Sequence, residues 1–205
     1  MKCLLSKLIE YDTIIFDMDG CLYDEFEFIS IRYNQIVKSL VAPSQQSSIL
    51  NEMLSSWLNF GSADNTLFSR IENKYTSFTE NEFEKRALEI FRSYPFNLEL
   101  SKRASFILSK LNALEKVLMM VTDGNYRLQR AKFDSLGLSQ YFALDKVVFT
   151  GEFGGGYYKP NPFAFAILEK KSQGDILYVG DRELDEYFAK NAGLDFIYVR
   201  NMQYG

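Results

Sequence analysis

Five short, uninterrupted apolar runs constrain the fold of this chain more than any other feature of its sequence. Each run is three to five residues long and consists mostly of β-branched, aromatic and other large apolar side chains. Continuous apolar runs are typical of strands buried on both faces of a parallel sheet, whereas strict alternation indicates a sheet with one wet face. The runs cover residues 13–16, 117–121, 147–149, 176–179 and 196–199.

Helical patterns precede or separate the last four of these runs. Apolar residues recur at helical spacing over residues 101–111, 125–136, 162–171 and 184–192. Asn161 and Pro162 mark the start of the third helix, and Gly137 and Gly193 mark the ends of the second and fourth. Alternation of strands and helices with short turns predicts an α/β fold, a Rossmann-like doubly wound parallel sheet.

The stretch from residue 25 to residue 94 has no comparable strand run. Its apolar residues fall at helical spacing in four segments that begin near residues 26, 49, 67 and 83. The last segment follows the capping box Thr79-Glu80-Asn81-Glu82 and stops before Pro95. The sequence therefore predicts an α/β catalytic core from residues 1–23 and 96–205, and an all-helical domain inserted at residues 24–95.

The composition excludes several classes of function. The chain has no histidine, which rules out Ser-His-Asp and Cys-His nucleophile pairs and histidine-ligated zinc. Its 27 acidic and 23 basic residues give a net charge of −4. The sequence has no block of basic residues of the kind that would indicate a nucleic-acid partner. Cys3 and Cys21 are too few for a disulfide scaffold. No apolar run reaches the roughly 18 residues of a membrane-spanning helix, so we expect a cytoplasmic protein with neither a nucleic-acid nor a membrane partner.

Polar residues follow several of the predicted strands at the points where those strands end. The carboxyl ends of parallel strands meet at one edge of a sheet, so we expect these side chains to lie close together. Each segment alone has a plainer interpretation: a turn, acids that complement a helix dipole, or a solvated lysine. The residues are Asp17 and Asp19 after the first strand, Thr122, Asp123 and Gly124 after the second, Lys159 after the third, and Asp181 and Asp185 after the fourth.

Taken together, in this order and strand context, the four segments resemble the signature motifs of the haloacid dehalogenase-like (HAD) superfamily. The motifs are Asp17-Met18-Asp19-Gly20, Thr122-Asp123-Gly124, Lys159 before Pro160, and Gly180-Asp181-Arg182-Glu183-Leu184-Asp185. The match spans nearly the whole chain. The helical insertion falls where members with a helical (type C1) cap after motif one carry that cap.

The resemblance implies phosphoryl transfer and assigns a role to each catalytic residue. Asp17 is implied to be the nucleophile that forms an aspartyl-phosphate, and Asp19 the general acid and later the base. Lys159 is implied to neutralise both the phosphoryl oxygens and Asp17. Dehalogenases of the superfamily lack an acid at the position of Asp19, because halide leaves without a proton, so Asp19 favours a phosphatase or a mutase.

The resemblance also implies a magnesium ion and a phosphate-binding loop. Magnesium prefers octahedral oxygen ligands, and its implied ligands are the carboxylates of Asp17 and Asp181 and the main-chain carbonyl of Asp19. Asp185 is a supporting residue that holds a metal-bound water or the lysine. The phosphate-binding residues are Thr122, Asp123 and Gly124, together with Lys159.

The leading prediction is a Mg²⁺-dependent phosphatase that hydrolyses a small phosphate monoester, such as a sugar phosphate or a nucleotide. One alternative is a phosphosugar mutase, which shares every core residue. Another is a catalytically idle binding protein on the same fold, although an idle member usually lacks one of the motif residues. Substrate selection is predicted in the polar stretch 59–65, and Cys21 is interpreted as a packing residue.

Overall fold

A computed structural model of the chain describes residues 4–61, 64–75, 82–93 and 96–199. The chain forms two compact units, one comprising Met1–Asp24 with Phe96–Gly205 and the other Glu25–Pro95. The first unit contains all of the strands in the described residues and all four motifs. The second is an insertion between the first strand and the rest of the sheet, and its described residues form helices and their connections.

The first unit is built on a parallel five-stranded sheet. Its strand order is β3-β2-β1-β4-β5, so the strand that precedes motif one lies in the middle. All four strand pairs are parallel, and residues 13–16 of β1 pair in register with residues 117–120 of β2 and 176–179 of β4. The predicted α/β, Rossmann-like core is therefore confirmed. The strands are β1 (Thr13–Phe16), β2 (Val117–Thr122), β3 (Val147–Phe149), β4 (Ile176–Gly180) and β5 (Asp195–Tyr198).

The helices of the described residues agree with the predicted segments to within a few residues, except that helix α1 (Leu4–Leu8) was not predicted. The predicted third core helix is shorter than expected, because residues Glu169–Lys171 tighten into a 3-10 turn. No helix in the described ranges is both long and apolar enough to cross a bilayer. The helices are α1 (Leu4–Leu8), α2 (Glu25–Leu40), α3 (Gln46–Phe60), α4 (Leu67–Lys74), α5 (Glu82–Phe91), α6 (Lys102–Ala113), α7 (Tyr126–Ser135), α8 (Phe163–Leu168) and α9 (Glu183–Ala192).

Apolar side chains on both faces of the sheet explain why its strands read as continuous apolar runs. Ile15, Met119 and Tyr178 belong to a buried cluster with residues of α8 and α9. Their neighbours along the strands, such as Ile14, are equally buried. Because both faces are covered, polar side chains are confined to the strand ends.

The inserted unit has an aromatic core of its own. Phe68 packs edge-on against Tyr33, Phe83 and Phe91, which brings α2, α4 and α5 together. Arg32 is buried beside them and donates to the main-chain carbonyl of Ser93 at 2.8 Å. Residues 79–81 of the predicted capping box lie outside the described residues. The unit thus has the internal packing expected of a separate folding element.

Candidate active site

Motif one begins directly at the carboxyl end of the central strand. The N–H of Asp17 donates to the carbonyl of Val179 at 2.9 Å, which continues the strand pairing one residue beyond β1. Gly20 has φ +69°, and a Cβ at this position would lie 2.4 Å from Asp181 Oδ2. A glycine is therefore required both for the left-handed turn and for the close approach of Asp181. This contact places motif four against motif one.

Lys159 joins the third motif to the first and fourth. Its Nζ donates to Asp17 Oδ1 at 2.8 Å and to Asp185 Oδ1 at 2.5 Å. All three side chains are at most 1% exposed. Because an ammonium group loses several kcal/mol of hydration on burial, Lys159 requires both carboxylates. The structure thus brings three predicted site residues from distant parts of the sequence into direct contact.

Asp185 ties the start of α9 to the lysine. Its Oδ2 accepts from the backbone N–H groups of Asp181 and Arg182, each at 3.1 Å, while its Oδ1 accepts from Lys159. These contacts cap the helix and leave the carboxylate aligned. Of the two supporting roles expected for Asp185, holding the lysine is the one that these contacts describe.

Three carboxylates form the acidic group of this site. Oxygen atoms of Asp17, Asp181 and Asp185 all lie within 4.8 Å of one another. The pKa of Asp17 lies well above its usual value. Burial raises this pKa most, the charges of Asp185 and Asp181 raise it further, and the opposing effect of Lys159 is smaller than their sum. Lys159 and Arg182, whose Nε lies 3.6 Å from Asp181 Oδ1, bring two positive charges to these three carboxylates, so one negative charge is left unbalanced when all three are ionised.

The donor set fits a magnesium ion. Asp17 Oδ2 is buried and makes no hydrogen bond to the described residues, so Asp17 retains a free oxygen. Magnesium prefers hard oxygen ligands of this kind. The side chain of Asp19 does not belong to the acidic group, so its expected contribution as a ligand rests on its main-chain carbonyl alone.

The motif-two residues point in different directions. Thr122 Oγ1 is fully buried at the end of β2 and has no hydrogen-bond partner among the described residues. Asp123, in contrast, accepts from the Thr150 hydroxyl at 2.8 Å and from the backbone N–H of Lys159 at 3.1 Å. Burial raises the pKa of Asp123, although Lys159 and the Thr150 hydrogen bond lower it. The hydroxyl of Thr122 is therefore suited to phosphate, whereas the side chain of Asp123 positions the lysine loop.

The carboxylate of Asp19 is held by three residues that the sequence reasoning did not assign to the site. Lys132 Nζ donates to Oδ1 at 2.7 Å, Gln129 Nε2 donates to Oδ2 at 2.6 Å, and the Tyr23 hydroxyl also donates to Oδ1. Burial raises the pKa of Asp19, but the charge of Lys132 and these hydrogen bonds outweigh burial and lower it. The available signal was a glutamine and a lysine on the apolar face of α7.

Tyr178 is a further residue that the sequence did not single out. It lies in the middle of β4 and is fully buried. Its hydroxyl accepts from Lys159 Nζ at 3.3 Å and donates to Asp185 Oδ1 at 3.3 Å. A tyrosine inside an apolar strand is typical of a core residue. Nothing in the sequence distinguishes the hydroxyl of Tyr178 from that of a tyrosine that serves only in packing.

The stretch predicted to select the substrate is partly structural. Asn59 is exposed near the end of α3. Asp64 accepts from Ser56 at 2.7 Å, from the Thr66 hydroxyl at 2.8 Å and from Arg70 at 3.1 Å. Residues 62 and 63 lie outside the described part of the chain. Asp64 therefore joins α3 to α4 and is not a free substrate-binding group.

Cys21 lies inside the motif-one turn and is buried. Its thiol donates weakly to the carbonyl of Val179, with an S···O distance of 3.7 Å. Burial raises the pKa of this thiol well above its usual value, and the nearby carboxylates raise it further. These contacts suit a packing residue and not a thiolate nucleophile.

This chain is similar in sequence or in fold to several known proteins. A relative from Methanocaldococcus jannaschii named glyceraldehyde 3-phosphate phosphatase is 28% identical, over 93% of this chain and 86% of its own. A putative phosphatase from Clostridium difficile has a similar solved structure, with a TM-score of 0.67, 21% identity, and coverage of 92% and 84% of the two chains. A putative beta-phosphoglucomutase from Thermotoga maritima has a TM-score of 0.56 at 20% identity, with coverage of 89% and 82%.

The two structural neighbours establish likeness of fold. The model of the haloacid dehalogenase-like hydrolase family matches residues 14–199, which includes all but the first residue of β1, all four motifs and the inserted helical unit. Because the match covers most of the chain and the motif residues meet at one edge of the sheet, this protein belongs to the haloacid dehalogenase-like hydrolase family.

Proposed function

We propose that this protein is a Mg²⁺-dependent phosphatase that hydrolyses a small phosphate monoester through an aspartyl-phosphate on Asp17. The observation that carries the proposal is the buried contact of Lys159 with Asp17 and Asp185, at 2.8 and 2.5 Å. A fixed cation beside a carboxylate is the arrangement that lets a negatively charged nucleophile approach a phosphate dianion.

In the first half-reaction an oxygen of Asp17 attacks phosphorus. Lys159 orients the carboxylate through Oδ1 and offsets the charge of the phosphoryl group. Thr122 Oγ1 and backbone N–H groups of residues 123 and 124 donate to the phosphoryl oxygens. The bond from phosphorus to the leaving oxygen breaks, and that oxygen takes a proton from Asp19.

In the second half-reaction water replaces Asp17 on phosphorus. Asp19, now a carboxylate, removes a proton from the water whose oxygen attacks the phosphoryl group. The bond between Asp17 and phosphorus breaks, which releases inorganic phosphate and restores the Asp17 carboxylate. The hydrogen bonds from Lys132 and Gln129 support the charged form of Asp19 that this step requires.

A magnesium ion would be held by the carboxylates of Asp17 and Asp181 and the main-chain carbonyl of Asp19. Bound there, it supplies positive charge against the repulsion between the nucleophile and the phosphate. Asp185 supports the site by fixing Lys159 and the backbone of residues 181 and 182.

The substrate class is proposed from the relatives and the inserted unit. The archaeal relative is named for a phosphorylated three-carbon sugar, which favours a small sugar phosphate over a nucleotide. We propose that the helical unit is the cap that reads the leaving group, because it follows motif one directly. The buried free thiol of Cys21 suits a reducing, cytoplasmic setting.

The decisive test is hydrolysis of p-nitrophenyl phosphate by the purified protein with and without Mg²⁺. We expect turnover that EDTA abolishes and added Mg²⁺ restores. Ca²⁺ should inhibit, because its larger and looser coordination misplaces the nucleophile. Full activity in EDTA, or equal support by Ca²⁺, would contradict the metal assignment. Isomerisation of a sugar phosphate with little release of phosphate would indicate a mutase.

A further inference from the structure

The carboxylate of Asp19 is anchored at both oxygens by one helix. Lys132 and Gln129 lie three residues apart, on the same face of α7. The first donates to Oδ1 at 2.7 Å and the second to Oδ2 at 2.6 Å. Helix α7 begins at Tyr126, two residues beyond Gly124 of motif two, and is capped by Asn125, whose Oδ1 accepts from the Leu128 N–H at 3.2 Å. The segment that follows the phosphate loop thus also fixes the side chain of Asp19.

The orientation of the Gln129 amide is determined by its neighbours. Its Nε2 lies against two acceptors, Asp19 Oδ2 and the main-chain carbonyl of Asp123. A reversed amide would place its oxygen against both, so the donor must face Asp19. Gln129 therefore links the carboxylate of motif one to the backbone of motif two.

The contact between Lys132 and Asp19 carries a desolvation cost, because both side chains are buried. Lys132 is 4% exposed and Asp19 is 5% exposed. Desolvation costs each ion several kcal/mol, and a well-packed apolar pair in its place is often neutral or stabilising. A buried ion pair is thus weak evidence of a purely stabilising role. Its location, on the residue that must give and take a proton, points to a role in the reaction.

We infer that Lys132, together with Gln129, is a positioning residue that fixes the Asp19 carboxylate for proton transfer to the leaving oxygen. This inference rests on the proposed phosphatase activity and extends it to two residues outside the four motifs. Misplacing a reacting group by about 1 Å can cost roughly 100-fold in rate. If Lys132 positions Asp19, replacing it should lower kcat/KM strongly for an ester whose leaving group needs a proton and only slightly for an ester whose leaving group does not.

The test compares phenyl phosphate, whose leaving oxygen needs a proton, with 2,4-dinitrophenyl phosphate, whose leaving group departs as a stable anion. The kcat/KM for each substrate reports the steps up to transfer of phosphate to Asp17, so it isolates the acid role of Asp19. In Lys132→Met we expect kcat/KM for phenyl phosphate to fall at least about tenfold more than for the dinitrophenyl ester, because the loss of position outweighs the gain in protonated Asp19 that removing the lysine charge brings. An equal loss on both substrates would overturn the inference.

Two further variants show whether Lys132 acts through Asp19. Adding Lys132→Met to Asp19→Asn should lower kcat/KM for phenyl phosphate no further, because the carboxylate to be positioned is already gone. An additive loss would overturn the inference. Gln129→Met removes the other donor without stranding a charge, so it carries the same leaving-group comparison if Lys132→Met does not fold.

The control is Lys116→Met. Lys116 lies just before β2, at the amino end of the sheet, and pairs with Asp12 at 3.9 Å. We expect its kcat/KM to match the wild type on both substrates. If the wild-type protein hydrolyses neither ester, the phosphatase proposal fails and this inference falls with it. If the wild type hydrolyses both and the variants lose equally, only the inference about Lys132 fails.

Discussion

At the scale of single residues, the site depends on how a few buried charges are paired. Lys159 is the cation that joins Asp17 to Asp185, and Lys132 is the cation that holds Asp19. The two lysines differ in what their partners are proposed to do, since Asp17 attacks phosphorus and Asp19 transfers protons. Each motif-one carboxylate therefore has a buried lysine of its own: Lys159 comes from the segment between β3 and α8, and Lys132 comes from α7.

Replacing Lys159 should be costly for both stability and activity. Lys159→Met leaves Asp17 and Asp185 buried without their shared cation, and breaking a buried pair in this way costs about 3–5 kcal/mol. We expect urea unfolding in EDTA to show a loss of that size, together with loss of phosphatase activity. Lys171→Met is the control, because Lys171 pairs with Asp145 at the surface at 3.3 Å, where ion pairs contribute about 0–1 kcal/mol. Equal stability of the two variants would contradict this account of the lysine.

At the scale of elements, the site residues that are proposed to react lie in short connections, and residues of the neighbouring helices hold their side chains in place. In the core unit, the capped start of α9 fixes Asp185, and α7 fixes Asp19. In the helical unit, Asp64 performs a comparable task between α3 and α4. Its Oδ2 lies 2.8 Å from Arg70 Nη2, which also donates to Ser56.

The contribution of Asp64 to stability should depend on pH. Burial raises the pKa of Asp64, but the hydrogen bonds from Ser56, Arg70 and Thr66 outweigh burial and lower this pKa to about 2. The pKa of an aspartate in an unfolded chain is about 3.9. A lowered folded-state pKa gives stability that is fully present above the unfolded value and declines as the pH falls from about 4 towards 2.

The measurement is urea unfolding followed by the fluorescence of Trp57, the single tryptophan of the chain, which lies in α3. We expect Asp64→Asn to be less stable than wild type at pH 7, with a smaller difference at pH 3. Asp134→Asn is the control, because its exposed pair with Arg130 spans 3.1 Å and should contribute little at either pH. A difference for Asp64→Asn that stays constant between pH 7 and pH 3 would contradict this role.

At the scale of the whole molecule, the sequence predicted the order of the elements and the residues at the strand ends. Continuous apolar runs and a fixed order of motifs are local signals, so they could be read without coordinates. The order of the strands within the sheet was not predicted; it places β1 in the middle, and Asp17, Lys159 and Asp185 are in contact in the fold.

The direction of individual side chains could not be predicted in the same way. Asp123 was expected to bind phosphate through its backbone N–H, and the direction of its carboxylate, which accepts from Thr150 and from the backbone of Lys159, was not predicted. Lys132 and Gln129 lie more than a hundred residues from Asp19 in sequence. A polar residue on an apolar helix face indicates a buried partner, but only the packed fold identifies that partner.

The central claim is that Asp17 is the nucleophile. Asp17→Asn keeps the size of the side chain and removes the attacking negative charge, and Asp134→Asn is the matched control on an exposed pair with Arg130 at 3.1 Å. The direct measurement is the rate of p-nitrophenyl phosphate hydrolysis in saturating Mg²⁺, with folding of each variant checked by circular dichroism. We predict that Asp17→Asn falls to the uncatalysed rate while Asp134→Asn matches the wild type. Substantial turnover by well-folded Asp17→Asn would contradict the aspartyl-phosphate mechanism.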